Sequence, residues 1–167
     1  MDAGKLLAYL KAADEMEHGG AEFYKAASGW VKDGNGKALL LFLVKEEERH
    51  ALVVEDLIRL VKAEAGGSAG RISEMERPHF FRPISEYSAM VKDADTPDDV
   101  VFREAALTEQ KSIDYYQKCA RIAGEHAGIF RRLVAEEKGH LEYIRDSQDS
   151  FKVSGYWLGI DSYFSLD

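Results

Sequence analysis

The feature that most constrains this chain is a charged heptapeptide that occurs twice within apolar helical patterning. Val44-Lys45-Glu46-Glu47-Glu48-Arg49-His50 returns as Val134-Ala135-Glu136-Glu137-Lys138-Gly139-His140. Each copy holds a Glu-x-x-His pair, Glu47 with His50 and Glu137 with His140. Three residues make nearly one helical turn, so acid and imidazole share a face. Steps of three and four outward from the first pair read Leu40, Leu43, Glu47, His50, Val54, Leu57 and Val61. The second copy reads Phe130, Leu133, Glu137, His140, Ile144, Ser147 and Phe151. Both are core-facing stripes with two ionisable groups at their centre. Burying such groups without a strong partner costs several kcal/mol. A bound metal is the simplest compensation.

The rest of the chain reads as helices that carry matching acids. A first helix is expected from about Ala3 to Val31, with Leu6, Leu10, Ala13, Glu17, Gly20, Tyr24, Ala27 and Val31 on its core face. Lys32-Asp33-Gly34-Asn35-Gly36 should stop it, because Gly and Asn tolerate positive φ. A second helix should run antiparallel to the first from about Lys37 to Ala65, ended by the glycines Gly66, Gly67 and Gly70. Residues 71–95, with Pro78, Pro83 and the cluster His79, Phe80 and Phe81, read as a long crossover with a short helix near Ser85 to Lys92. Such a crossover lets the third long helix start at the same end as the second. Thr96-Pro97 marks that start, as a capping residue followed by proline, with Asp98 and Asp99 favoured by the helix dipole. Its core face is Phe102, Ala105, Glu109, Ser112, Tyr116, Cys119 and Ala123. A turn through Gly124 to Gly128 leads to a fourth helix ending near Ser150. Residues 1–150 are thus expected to form one antiparallel four-helix bundle, and the fold class is all-α. Residues 151–167, with Tyr156, Trp157, Tyr163 and Phe164, form an aromatic tail expected to pack on the bundle or on a partner subunit.

The two halves repeat. Residues 17–24, from Glu17 to Tyr24, align with residues 109–116, from Glu109 to Tyr116. Each half therefore offers one Glu and then Glu-x-x-His, which implies a pseudo-two-fold site at the bundle centre. The expected metal ligands are Glu17, Glu47, His50, Glu109, Glu137 and His140. Four carboxylates carry -4, and two divalent ions neutralise them, whereas one would leave two charges stranded among apolar groups. Two bridged ions would lie about 3.5–4 Å apart. An oxygen-rich set with one imidazole per metal favours iron, with manganese or zinc as substitutes. Gly20 and Ser112 are small, and should leave space for water, peroxide or O2. Tyr24 and Tyr116 are placed either to pack in the core or to act on the site, by hydrogen bonds to ligand carboxylates or as an electron relay.

Other polar groups have plainer readings. Glu46, Glu48 and Glu136 lie off the stripes and are expected in solvent, as are Glu22 and Asp114. His18, His79 and His126 lack partners at ligand spacing and read as surface or loop residues. Cys119 reads as a small buried core residue.

Composition narrows the partners. The net charge of -8 over 167 residues argues against nucleic acid or an anionic membrane surface. Cys119 is the single cysteine, so no disulfide framework is available and a reducing compartment is expected. The apolar run Ala38 to Val44 is far short of the roughly 20 residues that span a bilayer. The first residues show no signal-peptide pattern. A cytoplasmic location is expected.

These motifs resemble those of the ferritin-like di-iron carboxylate proteins. The Glu-to-Tyr spacing of seven and the Glu-x-x-His within Glu46-Glu47-Glu48-Arg49-His50 are most similar to the rubrerythrin branch, over about residues 3–150. The resemblance implies a pair of iron ions oxidised by hydrogen peroxide or O2. Rubrerythrins proper also carry an iron site built from Cys-x-x-Cys pairs, which one cysteine cannot supply. Electrons would then come from an external donor protein. Rubrerythrins have a further glutamate three residues after the third helix's acid, where this chain has Ser112. The expected assembly is a homodimer. Two competing readings are a non-catalytic iron-binding or storage protein and a bundle that uses metal only for stability.

Overall fold

A computed structural model describes residues 3–66 and 78–160. It comprises α1 (Ala3–Ser28), α2 (Gly34–Glu64), α3 (Ile84–Lys92), α4 (Pro97–Ile122), a 3-10 turn at Gly124–His126, and α5 (Ala127–Ser154). Among the described residues there is no strand, and the fold is a ferritin-like helical bundle. Gly67, Gly70, the first part of the crossover, Tyr163 and Phe164 lie outside the described residues.

Neighbouring long helices run antiparallel. Tyr115, late in α4, donates from its hydroxyl to the Tyr9 carbonyl near the start of α1. Arg49 and His50 of α2 meet Glu136 and Glu137 of α5, while Leu57 and Leu60 lie with Leu133 and Ile129. Rising numbers on α2 thus meet falling numbers on α5. The end of α2, at Val61, shares a core cluster with Leu6 of α1. The start of α4, at Val101, shares another with Ala27. The end of α2 and the start of α4 therefore lie at opposite ends of the bundle.

The core is divided in two by the charged groups. One cluster gathers Leu6, Leu10, Met16, Leu57, Val61, Cys119, Phe130 and Leu133. The other gathers Phe23, Leu39, Leu40, Leu43, Val101, Phe102, Ile144 and Trp157. Glu17 follows Met16 and precedes Phe23, Glu47 and His50 lie between Leu43 and Val54, and Glu137 and His140 lie between Leu133 and Ile144. Each bundle end is closed by apolar packing, which keeps the middle dry.

Several boundaries differ from expectation for local chemical reasons. Asp33 starts α2 rather than helping glycines to end α1: its Oδ1 accepts from Asn35 N–H at 2.8 Å and Gly36 N–H at 2.9 Å. Gly34 and Gly36 are inside the helix, and neither has positive φ. Thr96 makes no side-chain capping bond. Asp98 instead accepts from the Lys32 N–H at 3.4 Å, joining the α1–α2 loop to α4. Helix α5 continues past Ser150 to Ser154, where Gly155 takes a left-handed conformation (φ 76°) and donates to the Phe151 carbonyl at 2.8 Å.

The described part of the tail returns to the bundle. Trp157 is buried between Phe102, at 4.0 Å between ring centres, and Phe151, at 4.4 Å. Its carbonyl accepts from Asn35 Nδ2 at 3.1 Å. In the crossover, Phe81 lies against Gly19 so closely that a Cβ there would fall 2.6 Å from the ring. Tyr87 and Val91 of α3 enter the core, and Lys111 donates to the Phe80 carbonyl at 2.8 Å. The described part of the crossover is thereby held against α1 and α4.

Candidate metal centre

The four bundle helices bring Glu17, Glu47, His50, Glu109, Glu137 and His140 together, each at most 3 % exposed. Ligand atoms of Glu17, Glu47, His50 and Glu137 lie within 4.8 Å of one another. Those of Glu109, Glu137 and His140 do the same, so Glu137 belongs to both groups. Its Oε1 is 3.1 Å from His50 Nδ1 and its Oε2 is 3.1 Å from His140 Nδ1. The imidazoles lie nearly parallel, with ring centres 5.4 Å apart.

Each tyrosine reaches across to the other half of the repeat. Tyr24 of α1 donates to Glu109 Oε1 of α4, and Tyr116 of α4 donates to Glu17 Oε1 of α1. The exchange holds one oxygen of each acid and aims the other inward. Glu17 Oε2, Glu47 Oε1 and Glu109 Oε2 are buried and accept no hydrogen bond. Buried carboxylate oxygens without a donor are costly. A cation would supply what these three oxygens lack, with the inward Nδ1 atoms of His50 and His140 at hand as further ligands. By donor type and charge, this set suits first-row divalent metals.

The electrostatics of the ion-free site show the same strain. Burial, then the charges of Glu17 and Glu137, push the Glu47 carboxyl well above its usual range. Burial and Glu137 do the same to Glu109. Burial would also raise Glu137, but hydrogen bonds from His140 and His50 hold it at about 2. His50 is pulled down by burial and pushed up by Glu137 and Glu17, which prevail at about 10. His140 is likewise held at about 9, chiefly by Glu137 and Glu46 against burial. Burial and the neighbouring acids keep Tyr24 and Tyr116 protonated as donors.

Two acids expected in solvent belong to the site's surroundings. Glu136 Oε2 is 3.0 Å from His50 Nε2, and Glu46 Oε2 is 3.7 Å from His140 Nε2. Arg49 donates to both, at 2.6 Å to Glu46 and 3.1 Å to Glu136. A carboxylate on the outer imidazole nitrogen fixes the ring and directs Nδ1 inward. These acids sit one position off the stripe, where only the pairing of α2 with α5 covers them. The signal for them was the repeat itself, since both copies place an acid before the ligand-spaced Glu. Glu48, Glu22 and Asp114 are exposed, as are His18 and His79. His126 is instead buried, with Nε2 3.0 Å from Glu64.

The space expected beside Gly20 is filled. A Cβ at Gly20 would lie 2.9 Å from the Glu47 carboxyl carbon, so this glycine makes room for a protein carboxylate rather than for a small molecule. Where Arg49 spans the first copy, the second has Gly139. It lines an open cleft of about 490 Å³ with Phe42, His140 and Tyr143.

A four-helix bundle with carboxylates and imidazoles turned into its buried centre defines a ferritin-like class of fold with a candidate metal site. A family model described as Rubrerythrin matches residues 8–148. The chain belongs to the rubrerythrin family, whose members usually bind two irons. No curated protein and no solved structure matches it.

Proposed function

We propose that this protein is an oxidoreductase of rubrerythrin type that reduces hydrogen peroxide or O2 at a pair of iron ions. The observation that carries this reading is the exchange between halves. Tyr24 and Tyr116 secure one oxygen each of Glu109 and Glu17, and the second oxygens of these acids, with one of Glu47, are buried at the centre without a hydrogen bond. Glu17, Glu47, His50, Glu109, Glu137 and His140 would hold the ions. Two irons bound there supply the two electrons that, with two protons, turn hydrogen peroxide into two waters. The residues set the conditions for that chemistry. Glu137 spans the halves and ties both imidazoles to one carboxylate. Glu136 and Glu46 orient His50 and His140 from outside. Apolar clusters above and below exclude bulk water and keep the charges strongly coupled. The phenols of Tyr24 and Tyr116 hold protons within hydrogen-bond reach of Glu109 and Glu17.

Cys119 is buried, and burial pushes its thiol up to about 12, which makes it a poor redox group. A single cysteine cannot build a Cys-x-x-Cys iron site, and we assign electron supply to an external donor protein. Anaerobic loading with two ferrous ions per chain, then one equivalent of peroxide, tests the reading. The near-ultraviolet ferric absorption should rise within the mixing time and disappear on addition of a reductant. An unreactive loaded protein would leave only metal binding.

A further inference from the structure

The repeat predicts two equivalent metal positions, yet the structure makes them unequal. Glu47 corresponds to Glu137 and Gly20 to Ser112. At Gly20 an added Cβ would lie 2.9 Å from Glu47 Cδ, 3.0 Å from Oε2 and 3.2 Å from Oε1. The Glu47 carboxylate thus occupies the volume that any side chain at position 20 would claim. Ser112, also buried, has that Cβ. Glu137, facing a position with a side chain, lies between the two imidazoles at 3.1 Å from each. Four residues converge on one side, Glu17, Glu47, His50 and Glu137, and three on the other, Glu109, Glu137 and His140.

We propose that Gly20 is a positioning residue that seats Glu47, and that the two cation positions therefore fill in sequence, the four-residue position first. This rests on the metal-binding reading given under the proposed function. The first ion meets three carboxylates and an imidazole. The second shares Glu137, whose charge is by then partly neutralised, and has Glu109 and His140 to itself. A displaced Glu47 would lose its geometry without the helix having to break, because the clashing atoms are the far end of a flexible side chain.

Stepwise anaerobic addition of Co(II) to the metal-free full chain tests this, followed by calorimetry and visible Co(II) absorption. Two ions should bind in two steps whose affinities differ by roughly tenfold or more. Gly20→Ser should weaken the first step and bring it towards the second. Ser112→Gly should strengthen the second step and bring it towards the first. It also keeps the test available if Gly20→Ser loses helical content by circular dichroism. Two ions bound with one affinity, or a wild-type separation retained in both variants, would overturn the inference. Uptake of no cobalt at all would instead remove the metal reading beneath it.

Discussion

Glu137 is the acid on which both halves of the site meet. It is buried, shared by both ligand groups, and hydrogen-bonded to both imidazoles. Glu137→Ala should therefore abolish binding of a metal pair, as should Glu47→Ala. Glu48→Ala changes an exposed neighbour and should leave two ions bound per chain, read by metal analysis after gel filtration. The tyrosines make a subtler case. Tyr24→Phe or Tyr116→Phe removes one donor to one carboxylate and should weaken metal affinity by about 10-fold, within the range for outer partners of metal ligands. Unchanged affinity in both would mean that the phenols only pack.

At the scale of elements, the sequence made the helices legible and their ends less so. Apolar residues at period 3.6 set where α1, α2, α4 and α5 lie, and the acids stood out because they interrupt that period. The ends depend on single bonds that periodicity does not encode. Asp33 looked like part of a glycine-rich stop, yet its side chain caps α2. Gly155, not Ser150, sets the end of α5. Trp157 could not be placed from its own neighbours, because Phe102 and Phe151 meet it from different helices. Glu46, Glu136 and Arg49 were hidden for a related reason: their half-burial arises between helices rather than along one. Trp157→Ala should cost about 3 kcal/mol in chemical denaturation, as for other large buried aromatics. Asp33→Ala should cost about 1 kcal/mol. A loss below a few tenths of a kcal/mol at Trp157 would mean that the tail is not seated on the bundle.

For the whole molecule, the site is a cluster of buried acids whose stability cost a bound cation would offset. In the metal-free protein, His50 and His140 keep their protons up to about 10 and about 9. Their contribution is complete below the unfolded value of 6.5 and is lost as pH rises through those folded values. Glu47 and Glu109 hold protons above the unfolded value of 4.5, so ionisation opposes folding as pH rises from there. Glu137, held at about 2, withdraws its contribution only in stronger acid, below 4.5. The folded state thus binds more protons than the unfolded one from about pH 5 to about pH 9. The metal-free protein should melt at progressively lower temperature across that window. Loaded protein should melt higher at neutral pH and vary less, since the ions replace the protons. Thermal melts at three pH values with and without metal check both, and a metal-free melting temperature that rises with pH would contradict them. Among the described residues no helix is long and apolar enough to cross a membrane.

The most direct test of the central claim is an anomalous-diffraction map from crystals of the iron-loaded protein. Two peaks should appear inside the bundle, one among Glu17, Glu47, His50 and Glu137 and one among Glu109, Glu137 and His140. A map with no central peaks, or with iron only at acids outside the centre, such as the half-buried Asp14 and Glu55 beside His18, would contradict it.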